Sequence, residues 1–187
     1  MKIVLASGSP RRRELLKSLG LEFEVYKPDV DESIIDGESP SELCERLSRL
    51  KAQAGAEKFP DALVIAADTI VVIDDLILGK PKDRDDAFNM LKRLQGKWHE
   101  VITGITICMK GNILSHDEHT RVKFRELSDS EIHAYVSTGE CDDKAGAYAV
   151  QGYGSLLVER IEGDYVNVVG LPLCRLGKML REFEINI

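Results

Sequence analysis

The chain is poor in the features that mark several common protein classes. Its four cysteines, Cys44, Cys108, Cys141 and Cys174, are scattered and form no C-x-x-C pair. That excludes a zinc ribbon and a dithiol redox motif, and leaves them as reduced thiols. No apolar run approaches the ~20 residues of a membrane-spanning helix, and no basic segment followed by an apolar stretch opens the chain. There is no excess of positive charge. Lys plus Arg number 25 against 32 Asp plus Glu, a formal charge of −7, which argues against a broad nucleic-acid or anionic-membrane surface. A P-loop is missing too, because Gly79-Lys80 is followed by Pro81 and lacks the earlier glycine, and so is a dinucleotide fingerprint. The expectation is a soluble cytoplasmic protein with neither nucleic acid nor membrane as partner. Its 187 residues, 43% hydrophobic and 30% charged, read as one globular domain, 1–187, without linker, repeat or low-complexity tract.

Against this acidic background stands Ser7-Gly8-Ser9-Pro10-Arg11-Arg12-Arg13. Ile3 to Ala6 reads as a buried strand, and Ser9 before Pro10 is a helix cap followed by a first-turn proline. The helix carries Leu15, Leu16 and Leu19 and stops at Gly20. Arginines in a first turn oppose the positive end of the helix dipole unless an anion sits there. Exposed backbone N–H groups, two serine hydroxyls and guanidinium groups together describe a phosphate site. The plainer alternative is a solvated basic helix start.

Further along, Phe23 and Val25 read as a second strand that delivers Asp29, Asp31 and Glu32 into a loop. Acidic groups close in sequence to an anion site suggest a metal. Ser39-Pro40-Ser41-Glu42 is a capping box opening a helix with Leu43, Leu47, Leu50 and Ala54 as its stripe, which leaves Lys51 on the solvated face. The run Ala62 to Ala67, continuing through Asp68-Thr69 to Ile73, is apolar on both faces, as a central strand is. A charge at Asp68 inside it needs a metal or a lysine as partner. Asp83 caps a helix ending near Gly96, and His99 to Met109 is a strand whose Gly104 marks a bulge or a close approach. Ser128 to Glu131 is a second capping box. Residues 141–154 form a small-residue loop with neither period, mobile or functional. Leu156 to Val158 and Tyr165 to Val169 read as a hairpin around Gly163, and Pro172 opens a last helix. His116 and His119 read as surface side chains, and no histidine base stands near Ser7 or Ser9 in sequence.

What remains is a cationic set (Arg11, Arg12, Arg13, Lys51, Lys80, Lys144) with carboxylates Glu32, Asp68 and Asp143, the equipment for handling polyphosphate with a divalent cation. Five segments now carry a resemblance. Ser7-x-Ser9-Pro10-Arg11-Arg12, Ala67-Asp68-Thr69, Gly79-Lys80-Pro81, Thr103-Gly104 and Asp143 to Tyr148 with Gln151-Gly152 closely resemble the Maf family of nucleoside triphosphate pyrophosphatases, also named for septum formation inhibition. The likeness runs from residue 3 to beyond Pro172.

It implies an α/β fold similar to the inosine triphosphate pyrophosphatase type, an elongated mixed sheet flanked by helices in two lobes with a central cleft. It also implies hydrolysis of a nucleoside triphosphate to monophosphate and pyrophosphate with Mg²⁺ or Mn²⁺. By match, Asp68 is the proton acceptor, and Arg11, Thr69 and Gln151 occupy specificity positions. The family branch acting on 7-methyl-GTP differs at these three positions, so the chain resembles the dTTP/UTP branch. Ala67 and Ala149-Val150 depart slightly from the family pattern.

On physical grounds Ser7, Ser9 and Arg12 are expected to hold the triphosphate and Lys51 and Lys80 the leaving pyrophosphate. Glu32 and Asp68 are expected to hold the metal. The rival reading is a nucleotide-binding regulator of cell division without turnover. A symmetric homodimer is the default assembly.

Overall fold

The computed structural model describes residues 1–185. Its elements are β1 (Ile3–Ala6), α1 (Pro10–Ser18), β2 (Glu24–Tyr26), α2 (Pro40–Lys58), β3 (Leu63–Ile73), β4 (Leu76–Leu78), α3 (Arg84–Leu94), β5 (Trp98–Met109), β6 (Asn112–Phe124), α4 (Asp129–Ser137), β7 (Val158–Glu162), α5 (Tyr165–Val169) and α6 (Leu173–Arg181). The seven strands make one mixed sheet in the order β2-β1-β3-β5-β6-β7, with β4 paired to the end of β3. β1 runs parallel to both β2 and β3, while β4 and β7 pair antiparallel to β3 and β6. The expected mixed sheet flanked by helices is therefore present. No described helix is long and apolar enough to cross a membrane.

Two compact units divide the chain. The first comprises Met1–Thr69, Thr103–Glu118 and the residues from Gly170 onward; the second comprises Ile70–Ile102 and His119–Val169.

In the first unit the alternation of strand side chains sorts the core into two faces. Ile3, Leu5, Leu63, Ile65 and Ala67 pack with Leu16 of α1 and Leu176 and Leu180 of α6. Val4, Ala6, Val64 and Ala66 pack instead with Ala52 of α2. With both faces covered, the strands can be uniformly apolar, as parallel strands are. Two glycines bring α2 close to the sheet. A Cβ on Gly55 would sit 2.7 Å from Val64 Cγ1, and one on Gly104 would sit 2.2 Å from the Cys44 carbonyl oxygen. Gly104 thus marks a close approach by backbone.

The buried face of α2 carries Leu43, Cys44, Leu47, Ser48, Lys51, Ala52 and Gly55. Lys51 is therefore not on a solvated face, contrary to expectation. The core-facing row runs Leu47, Lys51, Gly55 at i, i+4, i+8, while Leu50 and Ala54 are only half-buried. Cys44, Cys108 and Cys141 are buried and Cys174 is exposed, all four as free thiols.

In the second unit, α3 and α4 are capped by Asp83 and by the Ser128/Glu131 box, as their sequences predict. Phe88 and His133 stack with ring centres 4.4 Å apart. The expected hairpin after the loop is not there. Only Val158–Glu162 is a strand, paired with β6, and Tyr165–Val169 is helical. The β-branched composition of Tyr-Val-Asn-Val-Val favours a strand, but two polar groups override it. Asp164 Oδ1 accepts the Val166 N–H at 2.9 Å, ending the extended chain. Asn167, fully buried, donates to the Val101 carbonyl at 3.2 Å and to Thr120 Oγ1 at 3.0 Å. A strand would turn that amide away from its partners.

Candidate active site

The alternation that sorts the core also aims the middle of β3. Asp68 continues the even row (Val64, Ala66) that faces α2, and Thr69 continues the odd row (Ile65, Ala67) that faces α1 and α6. Neighbouring residues thus meet different partners. Asp68 Oδ1 lies 2.6 Å from Lys51 Nζ, and Thr69 Oγ1 accepts from Arg12 Nη2 at 2.9 Å.

The Arg12 guanidinium is held on three sides. Its Nε donates to the Gly170 carbonyl at 2.7 Å, its Nη1 to Ser7 Oγ at 3.2 Å, and its Nη2 to Thr69. Burial pushes this group below the usual arginine range, and the nearby Asp68 charge opposes the shift. Ser7 also accepts the Ser9 N–H, and Ser9 caps α1 through the Arg12 N–H. Ser7, Ser9, Arg12 and Thr69 are therefore one connected cluster at the start of α1. Arg11 is half-buried and Arg13 exposed. Two participants escaped the sequence reading: Thr103, whose hydroxyl lies 2.9 Å from that of Thr69, and the Gly170 carbonyl. Thr103-Gly104 was conspicuous for its glycine, and nothing in the sequence signals a backbone acceptor 158 residues from Arg12.

On the α2 side, Lys51 Nζ bridges two carboxylates, Asp68 at 2.6 Å and Glu32 Oε1 at 2.8 Å. Lys51 and Asp68 are almost enclosed, with 11% and 12% of their side chains exposed, while Glu32 reaches in from a surface loop with 51% exposed. An unpaired charge at Asp68's depth would cost several kcal/mol, and Lys51 supplies the partner. The pair also suits a hard divalent cation, since two carboxylate oxygens already converge on one positive group. No set of three or more His, Cys, Asp or Glu among the described residues could hold a metal. Two carboxylates would then be the protein's share, with water and phosphate oxygens supplying the rest, the pattern usual for Mg²⁺.

The remaining expected residues, Lys80 and Gln151, belong to the second unit, and both are exposed. Gln151 rides on the 141–154 loop, which is pinned at several points. Tyr148 OH lies 2.7 Å from His99 Nε2, Tyr135 OH accepts the Ala149 N–H at 3.1 Å, and Glu140 accepts the Tyr153 and Gly154 N–H groups. The Gly146 N–H donates to the Gly79 carbonyl at 3.0 Å, next to Lys80. Ala147 adopts φ +58°, a left-handed conformation that costs energy without glycine. Lys144 pairs with Asp143. His99 is buried among Phe124 and Tyr148, and that burial pushes its pKa down to about 3. His116 and His119 are exposed on β6, as expected, three residues apart on a strand and so on opposite faces.

A sheet of this order, with helices on both faces and a lysine-paired carboxylate inside a central strand beside an anchored arginine, defines a class. A solved structure of the Staphylococcus aureus Ham1 protein matches at TM-score 0.50 over 82% of this chain and 78% of that one, with 18% identity. This likeness shows the fold, which is of the inosine triphosphate pyrophosphatase type expected. The model of the Maf-like protein family matches residues 2–183, and the chain belongs to that family. Relatives named dTTP/UTP pyrophosphatase include one from Thermoanaerobacter sp. strain X514, 56% identical over 100% of both chains. Another, from Clostridioides difficile strain 630, is 48% identical over 100% of this chain and 98% of its own.

Proposed function

We propose that this protein hydrolyses dTTP and UTP to the nucleoside monophosphate and pyrophosphate with the help of a divalent cation. The observation that carries the reading is Asp68: a carboxylate nearly enclosed in the middle of an apolar strand, fixed by Lys51 and adjoining a threonine fixed by Arg12. Relatives of about half identity bear that activity in their names.

In this reading Glu32 and Asp68 would hold Mg²⁺ or Mn²⁺, which would supply polarisation of the phosphoryl oxygens and a more acidic water. Asp68 orients the attacking water and takes its proton. Ser7, Ser9 and Arg12 hold phosphate oxygens at the start of α1, where backbone N–H groups and the dipole add to the side chains. Arg12 enters the reaction already aligned by Ser7, Thr69 and Gly170, so little ordering is left to do. Lys51 and Lys80 neutralise charge growing on the leaving pyrophosphate. Arg11, Thr69 and Gln151 select the base, and the amide of Gln151 offers one donor and one acceptor to the N3–H and O4 edge of uracil or thymine. Arg11, Thr69 and Gln151 take these roles from family resemblance, and Lys80 takes its role from its charge. The compartment is the cytoplasm, in keeping with four free thiols, and the assembly is a homodimer.

Pyrophosphate release measured across dTTP, UTP, CTP, GTP and ITP, with and without Mn²⁺, tests the proposal. Metal-dependent turnover of dTTP and UTP ahead of the others is expected. Nucleotide binding without release from any of them would instead establish the regulator.

A further inference from the structure

The bridge made by Lys51 between Asp68 and Glu32 has the composition of an occupied cation site, with an ammonium group where two carboxylates converge. We infer that Lys51 is a resident cation that holds this carboxylate pair until the metal–nucleotide complex arrives, and that it then transfers to the phosphates, so that metal and nucleotide bind cooperatively. The inference rests on the metal reading above and deepens it.

Three observations support an exchange. First, no group of three or more potential ligands exists among the described residues, so Glu32 and Asp68 are the carboxylates a metal would use. A metal and the ammonium therefore compete for the same oxygens. Second, a unit charge a few ångströms from a divalent ion in a nearly enclosed site repels it strongly, and 11% side-chain exposure leaves Lys51 little water for screening. The free protein should accordingly bind metal weakly. Third, the triad is lopsided. Lys51 and Asp68 are anchored in α2 and β3, but Glu32 comes from a loop and is half exposed. The Lys51–Glu32 contact can open without disturbing the core. A lysine side chain, with four rotatable methylene groups ending in a compact charge, can follow an incoming phosphate in a way a planar guanidinium cannot.

The exchange conserves charge. In the free protein the ammonium offsets part of the charge of the carboxylates. In the complex the cation does so, and the ammonium offsets phosphate charge instead. Binding of Mn²⁺ alone therefore loses the ammonium contact without recompense, whereas Mn²⁺ and nucleotide together do not. This gives Lys51 a role in the order of binding in addition to its contact with the leaving group.

Mn²⁺ binding to the nucleotide-free protein, followed by electron paramagnetic resonance, tests the inference without any turnover. Lys51→Met should bind Mn²⁺ about tenfold or more tightly than the parent protein, and Lys51→Arg, which keeps the charge, should not. With a non-hydrolysable dUTP analogue present, the affinity gain that nucleotide confers on Mn²⁺ should shrink in Lys51→Met. Lys51→Gln provides the same comparison should the methionine variant not fold, as judged by its thermal melt. Unchanged or weaker Mn²⁺ binding in both neutral variants overturns the exchange. Glu32→Gln and Asp68→Asn address the metal reading separately: if Mn²⁺ affinity is the same in both as in the parent, the metal does not sit on this pair.

Discussion

In the first unit the charged groups assigned to the chemistry are bound to one another before any substrate arrives. Arg12 is tied to Ser7, Thr69 and Gly170, and Lys51 to Asp68 and Glu32. In the second unit Lys80 and Gln151 extend into solvent, and order resides in the backbone beneath them, pinned through Tyr148, Tyr135 and Glu140. The difference separates two requirements. Bond-breaking needs groups whose geometry is settled by burial and mutual contact, because reorganisation at the moment of reaction is lost rate. The residue proposed for base selection is instead an exposed side chain on a loop whose backbone is fixed.

Four variants or conditions would sharpen or break this contrast. The largest effect is expected for Asp68→Asn, which should lower kcat by about 10³-fold while nucleotide binding, read by calorimetry, persists. Near-normal turnover would remove the first unit's claim to the chemistry. Next is Gly104→Ala, whose methyl would fall 2.2 Å from the Cys44 carbonyl oxygen. It should cost about 3 kcal/mol in urea unfolding and lower activity by pushing α2, and Lys51 with it, away from β3.

The third prediction concerns pH. His99 titrates near 6.5 when unfolded, but burial holds it at about 3 when folded. Between those values the unfolded chain binds the extra proton, so stability falls as pH drops, by up to about 1.4 kcal/mol per unit. Urea midpoints at pH 7, 6, 5 and 4 should fall more steeply for the parent than for His99→Gln. Parallel slopes would mean that the Tyr148 anchor does not depend on a neutral imidazole. The smallest effect on the fold belongs to Gln151→Glu. Its exposed side chain should leave the melting temperature unchanged while base preference in the nucleotide panel shifts by about tenfold. Lost stability with preference intact would make the residue structural.

Much of the fold was legible because its signals are local. Capping boxes at Ser39 and Ser128, the Ser9-Pro10 start and the doubly apolar β3 each report a structure that forms within a few residues. The α5 helix was not, since Asn167 chooses it through acceptors at Val101 and Thr120 that are remote in sequence. The site divides in the same way. Asp68 stood out as a charge in an apolar strand, and its need for a lysine or a metal follows from electrostatics alone. That Lys51 is this lysine was written in its spacing from Leu47 and Gly55, but a lysine is so commonly solvated that composition pointed the other way. The anchors of Arg12 on Thr69 and Gly170 depend on the packing of β3 and the chain beyond α5 against α1, which no local pattern encodes.

The distribution of the thiols has a practical side. Burial shields Cys44, Cys108 and Cys141 and raises the titration of the Cys108 and Cys141 groups, leaving Cys174 on α6 as the exposed sulfur. At neutral pH a maleimide dye should therefore attach at one position per chain, giving the unmodified sequence a built-in fluorescence handle on the first unit.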